Sequence, residues 1–478
     1  MSKYSKLEKS LSQSISYAEW QETAAQLDKL DGNDRWREDP KSEDYDHRLL
    51  ASRVRLFRGL RRKRDFEQLV FRLREELHGN IGNMANPVLY QHARCGTKNL
   101  INDYLDEITS CLELFTESEV KAFPPILKRR FLKRAARSFG RSALLLSGGA
   151  SLGLFHLGVI QELQAENVLP RVITGSSAGS IIAGIVATHT SEELKALLEP
   201  GYVEFEWSKM SGFVDILKGK GVLDAKQLLK SINHTIPDMT FLEAYKHTGR
   251  ILNISVSPAE SNQFPRLLNY LTSPNVLIRR AALASSAIPG IFPSVQLRAK
   301  NFTGKSVVYA PQNRWIDGSV HDDIPKERVN RLHNVNHYIV SQTNPYVVPF
   351  MSEEVKETGL LPFIQDVVLK APLVQVEHFL EKIHQHFDIP GLSSVIKKAH
   401  ALVSQNYSGD ITVYPTRQLS RVGKILTNLT PDQAQEMMLE GRRATWPKIE
   451  RIRNTTQISR VFDASLKKMS QTYRYVPR

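Results

Sequence analysis

The sequence predicts an α/β core, a three-layer sandwich in which a mainly parallel central sheet has helices on both faces, with mostly helical regions before and after it. Three observations carry this reading. Residues 1 to about 140 show helical periodicity and no long strand-like run, short apolar strands alternate with helical stretches from Ala143 onward, and the pattern turns helical again after about residue 346. These changes divide the 478 residues into segments 1–140, 141–346 and 347–478.

In the first segment Phe66, Leu69, Val70, Leu73 and Leu77 recur at helical spacing, and Leu100, Ile101, Tyr104, Leu105 and Ile108 do so again. Both stripes are expected to face a core. Asp31-Gly32-Asn33, Gly79 to Asn83 and Pro124-Pro125 punctuate the region. In the second segment the strand candidates are Ala143–Leu146, Arg171–Thr174, Ile251–Val256 and Tyr338–Ser341. A helix to about Glu166 follows the first, and another follows Ser177. Functional groups in such a sheet belong at the carboxyl ends of the strands. In the third segment Ile411–Tyr414 reads as a strand, and Thr430, Pro431 and Gln433 form a start signal for a helix: N-cap, first helical position and capping box. Internal repeats and low-complexity tracts are absent from the sequence.

Hydrophobic residues make up 41% of the chain and charged residues 24%, the balance of a globular protein. Cys95 and Cys111 are too few for a disulfide framework and lack metal-ligand spacing, so a reducing compartment and no metal are expected. The N-terminus has no apolar stretch of the signal-peptide kind and no run of about 18 apolar residues occurs, so a cytoplasmic protein without a membrane span is expected. The formal charge is +14 and clustered. Arg53, Arg55, Arg58, Arg61, Arg62, Lys63 and Arg64 form one acid-free group; Lys128, Arg129, Arg130, Lys133, Arg134, Arg137 and Arg141 form another. Each fits an anionic membrane surface, a nucleic acid, or simply a solvated helix face. Because no nucleic-acid-binding module surrounds them, lipid is the expected partner.

Gly175-Ser176-Ser177-Ala178-Gly179 stands between an apolar strand candidate and the small apolar run Ser180 to Ala187. A G-x-S-x-G sequence in this setting makes a nucleophile elbow, because a serine on a sharp turn needs neighbours without bulk where strand and helix close in. Alone, the pentapeptide also fits an ordinary strand-to-helix turn. Ser147-Gly148-Gly149-Ala150-Ser151-Leu152-Gly153 follows the first strand, and its small residues let backbone N–H groups face an oxyanion or a phosphate. Neither a G-x-G-x-x-G fingerprint nor a P-loop ending is present, which argues against a nucleotide. Asp317, at a strand end before Gly318, would hold its carboxylate outward in a turn. A serine needs a base, and His321 is the one histidine with a suggestive neighbourhood.

In this order the three motifs resemble the patatin-like phospholipases. The resemblance covers about residues 143 to 345 and implies that Ser177 is the nucleophile, Asp317 its partner in a Ser-Asp dyad without histidine, and Gly148, Gly149, Ala150 and Gly153 the oxyanion loop, with Gly175 and Gly179 framing the elbow. Ala150 and Leu152 stand where the family's loop has a third glycine and commonly an arginine, and Ser319 stands where its aspartate motif, D-G-G or D-G-A, has a glycine or alanine. Gly148 to Gly158, Arg266 to Pro274, Ala287 to Phe292 and Gly441 to Trp446 are similar to the triacylglycerol lipase branch of yeasts and plant seeds, whose N-terminal domain the segment from Tyr17 to about Arg141 also resembles. An H-x-x-x-x-D motif, credited with acyl transfer in some members, does not occur.

The resemblance implies hydrolysis of glycerolipid esters without a cofactor, most directly of triacylglycerol, by a protein peripherally attached to a membrane or lipid droplet and not to nucleic acid. A phospholipase A, a lysophospholipase, a transacylase and a catalytically weak lipid-binding scaffold are the alternatives, Leu152 being the feature in favour of the last.

Overall fold

The computed structural model describes residues 2–198, 225–260, 263–289, 292–344, 347–348, 407–415 and 430–472. Much of the third segment expected to be helical, 349–406 and 416–429, lies outside the described residues. The chain divides into two compact units, one of Met1–Ser142, Asn330–His337 and Thr445–Arg478, the other of Ala143–Val329 and Tyr338–Ala444.

The first unit is helical. Helix His47–Lys63 starts at Asp46, whose Oδ1 accepts the Leu49 N–H at 2.9 Å, and helix Phe66–Glu76 starts at Asp65 in the same manner. Each cap satisfies an N–H that the first turn leaves without a carbonyl. Both expected stripes face the core: Leu69, Leu73, Ile101, Tyr104, Leu105 and Ile108 are buried, with Phe66, Val70 and Leu100 packed against them. Ile458 and Phe462 from the long helix Ile449–Thr472 complete that core. Burial pushes both free thiols, Cys95 and Cys111, up to about 12, so neither is a nucleophile near neutrality.

The second unit holds the sheet. Its strands are β1 (Arg141–Leu146), β2 (Val172–Gly175), β3 (Ile251–Pro258), β4 (Arg266–Leu268), β7 (Trp315–Asp317), β8 (Val335–Ser341) and β9 (Ile411–Val413), while β5 (Arg298–Lys300) and β6 (Ser306–Val308) form a separate hairpin. The order is β4-β3-β2-β1-β8-β9 with β7 also on β3. β1, β2 and β3 run parallel, as do β8 and β9. Every residue of β2 and β3 is buried, as in a sheet covered on both faces, with Asn253, Ser255 and Ser257 the polar residues within β3. β4 and β7 pair with β3 antiparallel; each has three residues, too few to show a period in the sequence.

Helix Gly153–Ala165 follows β1, and helix Pro431–Thr445 crosses it closely. A Cβ on Gly158 would lie 1.9 Å from the Met438 carbonyl oxygen and one on Gly441 2.2 Å from that of Phe155, so both glycines are needed for the crossing. The Thr430 capping box forms as its sequence indicates, with Gln433 N–H on Thr430 Oγ1 at 3.3 Å and Thr430 N–H on Gln433 Oε1 at 3.0 Å.

Candidate active site

The pentapeptide at Ser177 forms a strained turn. Ser177 has φ 50° and ψ −126°, between the end of β2 and the start of helix Ala178–Thr188. A non-glycine residue held there costs about 1–3 kcal/mol and persists only when its surroundings over-determine it. The surroundings do so. Ser177 N–H donates to Ser285 Oγ at 3.0 Å, and that hydroxyl donates to the Ser255 carbonyl on β3 at 2.7 Å. The Ser177 carbonyl accepts the Ser180 hydroxyl at 2.6 Å and that of Ser286 at 3.2 Å. A Cβ on Gly175 would stand 2.2 Å from the Gly179 carbonyl oxygen, and one on Gly179 2.4 Å from that of Leu146. The two framing glycines are thus required by close backbone approach.

The strand register brings the aspartate to the same place. Gly175 pairs with Ile254, two residues before Val256, and Val256 pairs with Asp317 on the same edge of β3, since β4 occupies the other edge at both Ile254 and Val256. Ser177, two residues beyond Gly175, arrives at the level of Asp317. Its hydroxyl lies beside the Asp317 carboxyl and holds that group's pKa down. Asp317 is 2% exposed, and burial pushes its pKa up to about 6 against the Ser177 hydroxyl and the hydrogen bonds from Ser319. The Ser319 N–H and hydroxyl each donate to Asp317 Oδ1 at 2.8 Å. Gly318 is needed because a Cβ there would lie 2.1 Å from the Ser255 carbonyl oxygen. Among the histidine side chains that the structure describes, none hydrogen-bonds Ser177 or Asp317; the backbone of His321 lies on the short helix Ser319–Asp322.

The loop after β1 packs on both residues. A Cβ on Gly148 would stand 3.3 Å from Ser177 Cβ and 3.2 Å from Ser319 Cβ. Gly148 N–H does not face this space, because it donates to Asp323 Oδ1 at 2.8 Å. The N–H groups of Gly149 and Ala150 have no acceptor among the described residues. Ala150 takes φ 47°, the left-handed conformation that a glycine would hold without strain. Gly153 opens the helix that follows, 3.2 Å from Ala178 Cβ if it carried a Cβ of its own.

Several supports here carry no sequence motif. His156 is fully buried, with Nδ1 2.7 Å from Ser341 Oγ and Nε2 3.0 Å from the Ser147 carbonyl oxygen. Burial pushes its pKa down to about 4, so it is a neutral brace rather than a base. Ser285 and Ser286 sit at the end of the alanine-rich helix Ile278–Ser285, where two buried hydroxyls in an apolar stretch were the available signal. No group of three His, Cys, Asp or Glu side chains that could hold a metal occurs among the described residues.

The two basic segments differ. On helix His47–Lys63, Arg53 pairs with Glu76 at 3.0 Å, and Arg58 and Arg61 pair with Glu107 at 3.2 and 2.5 Å. On helix Pro125–Phe139, Lys128 is buried and donates to the Ser118 carbonyl, while Arg129, Arg130, Lys133, Arg134 and Arg137 are exposed with no ion pair among the described residues. Ile126, 70% exposed, stands on the same helix face as Arg130, Lys133 and Arg137. No helix among the described residues is long and apolar enough to cross a membrane.

Residues 144–328 match the family model described as patatin-like phospholipase, and residues 1–137 match a domain of unknown function, DUF3336. The chain is 36% identical over 469 residues to triacylglycerol lipase 4 of Saccharomyces cerevisiae, covering 92% of this chain and 50% of that protein. It is 33% identical over 471 residues to triacylglycerol lipase SDP1L of Arabidopsis thaliana, covering 94% and 57%. It is 32% identical over 458 residues to triacylglycerol lipase ptl3 of Schizosaccharomyces pombe, covering 92% of each. The chain thus spans about half the length of the first two relatives and nearly the whole of the third. With its matched segment spanning both Ser177 and Asp317, the chain belongs to the patatin-like phospholipase family, in the branch whose relatives here are named triacylglycerol lipases.

Proposed function

We propose that the protein is a serine acyl-ester hydrolase of glycerolipids, acting most directly on triacylglycerol, with Ser177 as nucleophile and Asp317 as its base. The observation that carries this reading is Ser177, set on a strained elbow beside the buried Asp317 carboxyl, whose pKa its hydroxyl holds down. Asp317 takes the Ser177 proton as Oγ attacks the ester carbonyl carbon. The new oxyanion is met by the N–H groups of Gly149 and Ala150. Proton return from Asp317 lets the alcohol leave, and water then releases the fatty acid from the acyl-serine by the same route in reverse. The reaction needs no cofactor. The names of the relatives support triacylglycerol as substrate over a phospholipid.

Such substrates collect at lipid surfaces, and helix Pro125–Phe139 supports peripheral attachment to one. Its five exposed cations follow an exposed isoleucine in its first turn, the combination by which an interfacial helix adds apolar insertion to attraction for anionic headgroups. The cations of helix His47–Lys63 that pair with Glu76 and Glu107 are structural instead. Binding to anionic vesicles should fall when Arg129, Arg130, Lys133 and Arg134 are neutralised, and stay when Arg58 and Arg61 are; the reverse would reject this assignment.

Hydrolysis of a medium-chain p-nitrophenyl ester by wild type, Ser177→Ala, Asp317→Asn and His321→Ala tests the chemistry. Loss in the first two variants alone is expected. Loss in His321→Ala with survival of Asp317→Asn would replace the dyad by a triad. Release of fatty acid from triolein and from phosphatidylcholine then decides the substrate class.

A further inference from the structure

Six residues after Asp317 the same segment makes a second set of contacts to the site. Ser176 Oγ donates to the Asp323 carbonyl oxygen at 2.9 Å, and Gly148 N–H donates to Asp323 Oδ1 at 2.8 Å. Asp323 therefore grips the elbow and the loop after β1 at once, while Asp317 meets Ser177. The carbonyl of the same glycine is held as well, by the hydroxyls of Ser147 at 3.1 Å and Thr343 at 3.3 Å. Thr343 in turn donates its N–H to Ser147 Oγ at 2.8 Å, and Asn344 Nδ2 lies 3.5 Å from Asp323 Oδ2. A Cβ on Gly149 would meet Thr343 Oγ1 at 2.1 Å, so the loop rests directly on this network.

We propose that Asp323 is a positioning residue for acyl transfer: by fixing Gly148 N–H away from the site it turns the next two N–H groups, of Gly149 and Ala150, toward the oxygen that forms above Ser177. The proposal rests on the Ser177–Asp317 reading. It gives a carboxyl group that never touches substrate a share in the rate, since each aimed donor at an oxyanion contributes about 10²–10³ in kcat.

The charge of Asp323 matters alongside its geometry. The titratable groups facing it are Asp317 at the end of β7, Asp322 beside it and Tyr407 ahead of β9; Gly148 and Asn344 contribute neutral donors. Burial, joined by Asp317 and Asp322 against those two hydrogen bonds, pushes its pKa up to about 8. At neutral pH a protonated Asp323 still accepts Gly148 N–H through its carbonyl oxygen. Above that range its negative charge opposes the oxyanion a few bonds away.

The test is kcat and KM for a p-nitrophenyl ester from about pH 5 to about pH 10, bracketing both carboxyl groups, for wild type, Asp323→Ala, Asp323→Asn and, as control, Ser177→Ala. Asp323→Ala should lose about 10²-fold or more in kcat with KM changed less than about threefold. Asp323→Asn keeps an acceptor oxygen, so it should recover to within about tenfold of wild type and lose the alkaline fall near pH 8. An Asp323→Ala enzyme with wild-type kcat, or an Asp323→Asn enzyme that keeps the alkaline fall, would overturn the proposal. Should the alanine variant show no cooperative melt, the asparagine profile alone decides. Wild-type activity in Ser177→Ala would instead remove the reading beneath it.

Discussion

The elbow around Ser177 and the turn from Asp317 to Asp323 meet at one site but are held by different forces. The elbow is set by backbone: two glycines through which strand and helix approach, and a serine whose N–H and carbonyl are both bound. The aspartate turn shares one such glycine, Gly318, but its carboxyl groups are set by side-chain hydrogen bonds and by burial. Steric devices fail all at once when a methyl group is added, whereas electrostatic ones fail as a function of pH. Substitutions in the elbow should therefore change stability and rate at every pH, and those in the turn should change the shape of the pH profile.

The largest effect separates the two at the base. Asp317→Asn should lower kcat/KM by about 10³–10⁴-fold, as loss of a triad's acid does, while leaving the melting temperature at neutral pH no lower than that of wild type. Its sign follows from the raised pKa: a buried carboxyl held near 6 opposes folding as pH rises from the unfolded value of 3.8 through the folded one, and an amide removes that cost. A large drop in melting temperature would make Asp317 structural. Gly179→Ala should do the opposite, destabilising by about 1–3 kcal/mol because its methyl group meets the Leu146 carbonyl, with activity lost in proportion at every pH. Thermal melts with rate profiles check both.

A smaller effect lies in Ser319→Ala. The kcat/KM of wild type should fall on acidification with a midpoint near 6, as Asp317 takes up a proton and stops acting as base. Ser319 hydrogen bonds hold that pKa down, so removing the hydroxyl should move the midpoint to higher pH. An unmoved midpoint would mean that the hydroxyl does not tune the base. The smallest effect is expected from Ala150→Gly. Relief of the left-handed alanine is partly offset by the greater freedom of glycine in the unfolded chain, leaving a gain of less than about 1 kcal/mol in a chemical denaturation midpoint.

How much of this was legible in the sequence follows the same divide. The helical stripes, the strand-helix alternation and the elbow rest on neighbours close along the chain, and the glycines of the elbow announce their own reason. The order of Gly148-Gly149, Ser177 and Asp317, through the family it resembles, pointed to Asp317 as the proposed partner of the serine. Asp323 was silent, because its hydrogen bond to Gly148 spans 175 residues and no local pattern marks it. Ser285, 108 residues from the elbow it pins, and Thr343, 196 from the loop it supports, were silent for the same reason. The basic segments teach the lesson in charge. Both are acid-free runs of seven cations, yet Glu76 and Glu107, distant in sequence, pair with three cations of the first, while in the second Lys128 is buried, Arg141 lies 3.8 Å from Asp463 and the other five are exposed.

Reaction with an alkyl fluorophosphonate, followed by peptide mapping, tests the role of Ser177 most directly. The phosphonyl group should be found on the Ser177 peptide, form far more slowly in Asp317→Asn and be absent from Ser177→Ala. Labelling at another residue, or at equal rate without Asp317, would contradict the Ser177–Asp317 mechanism.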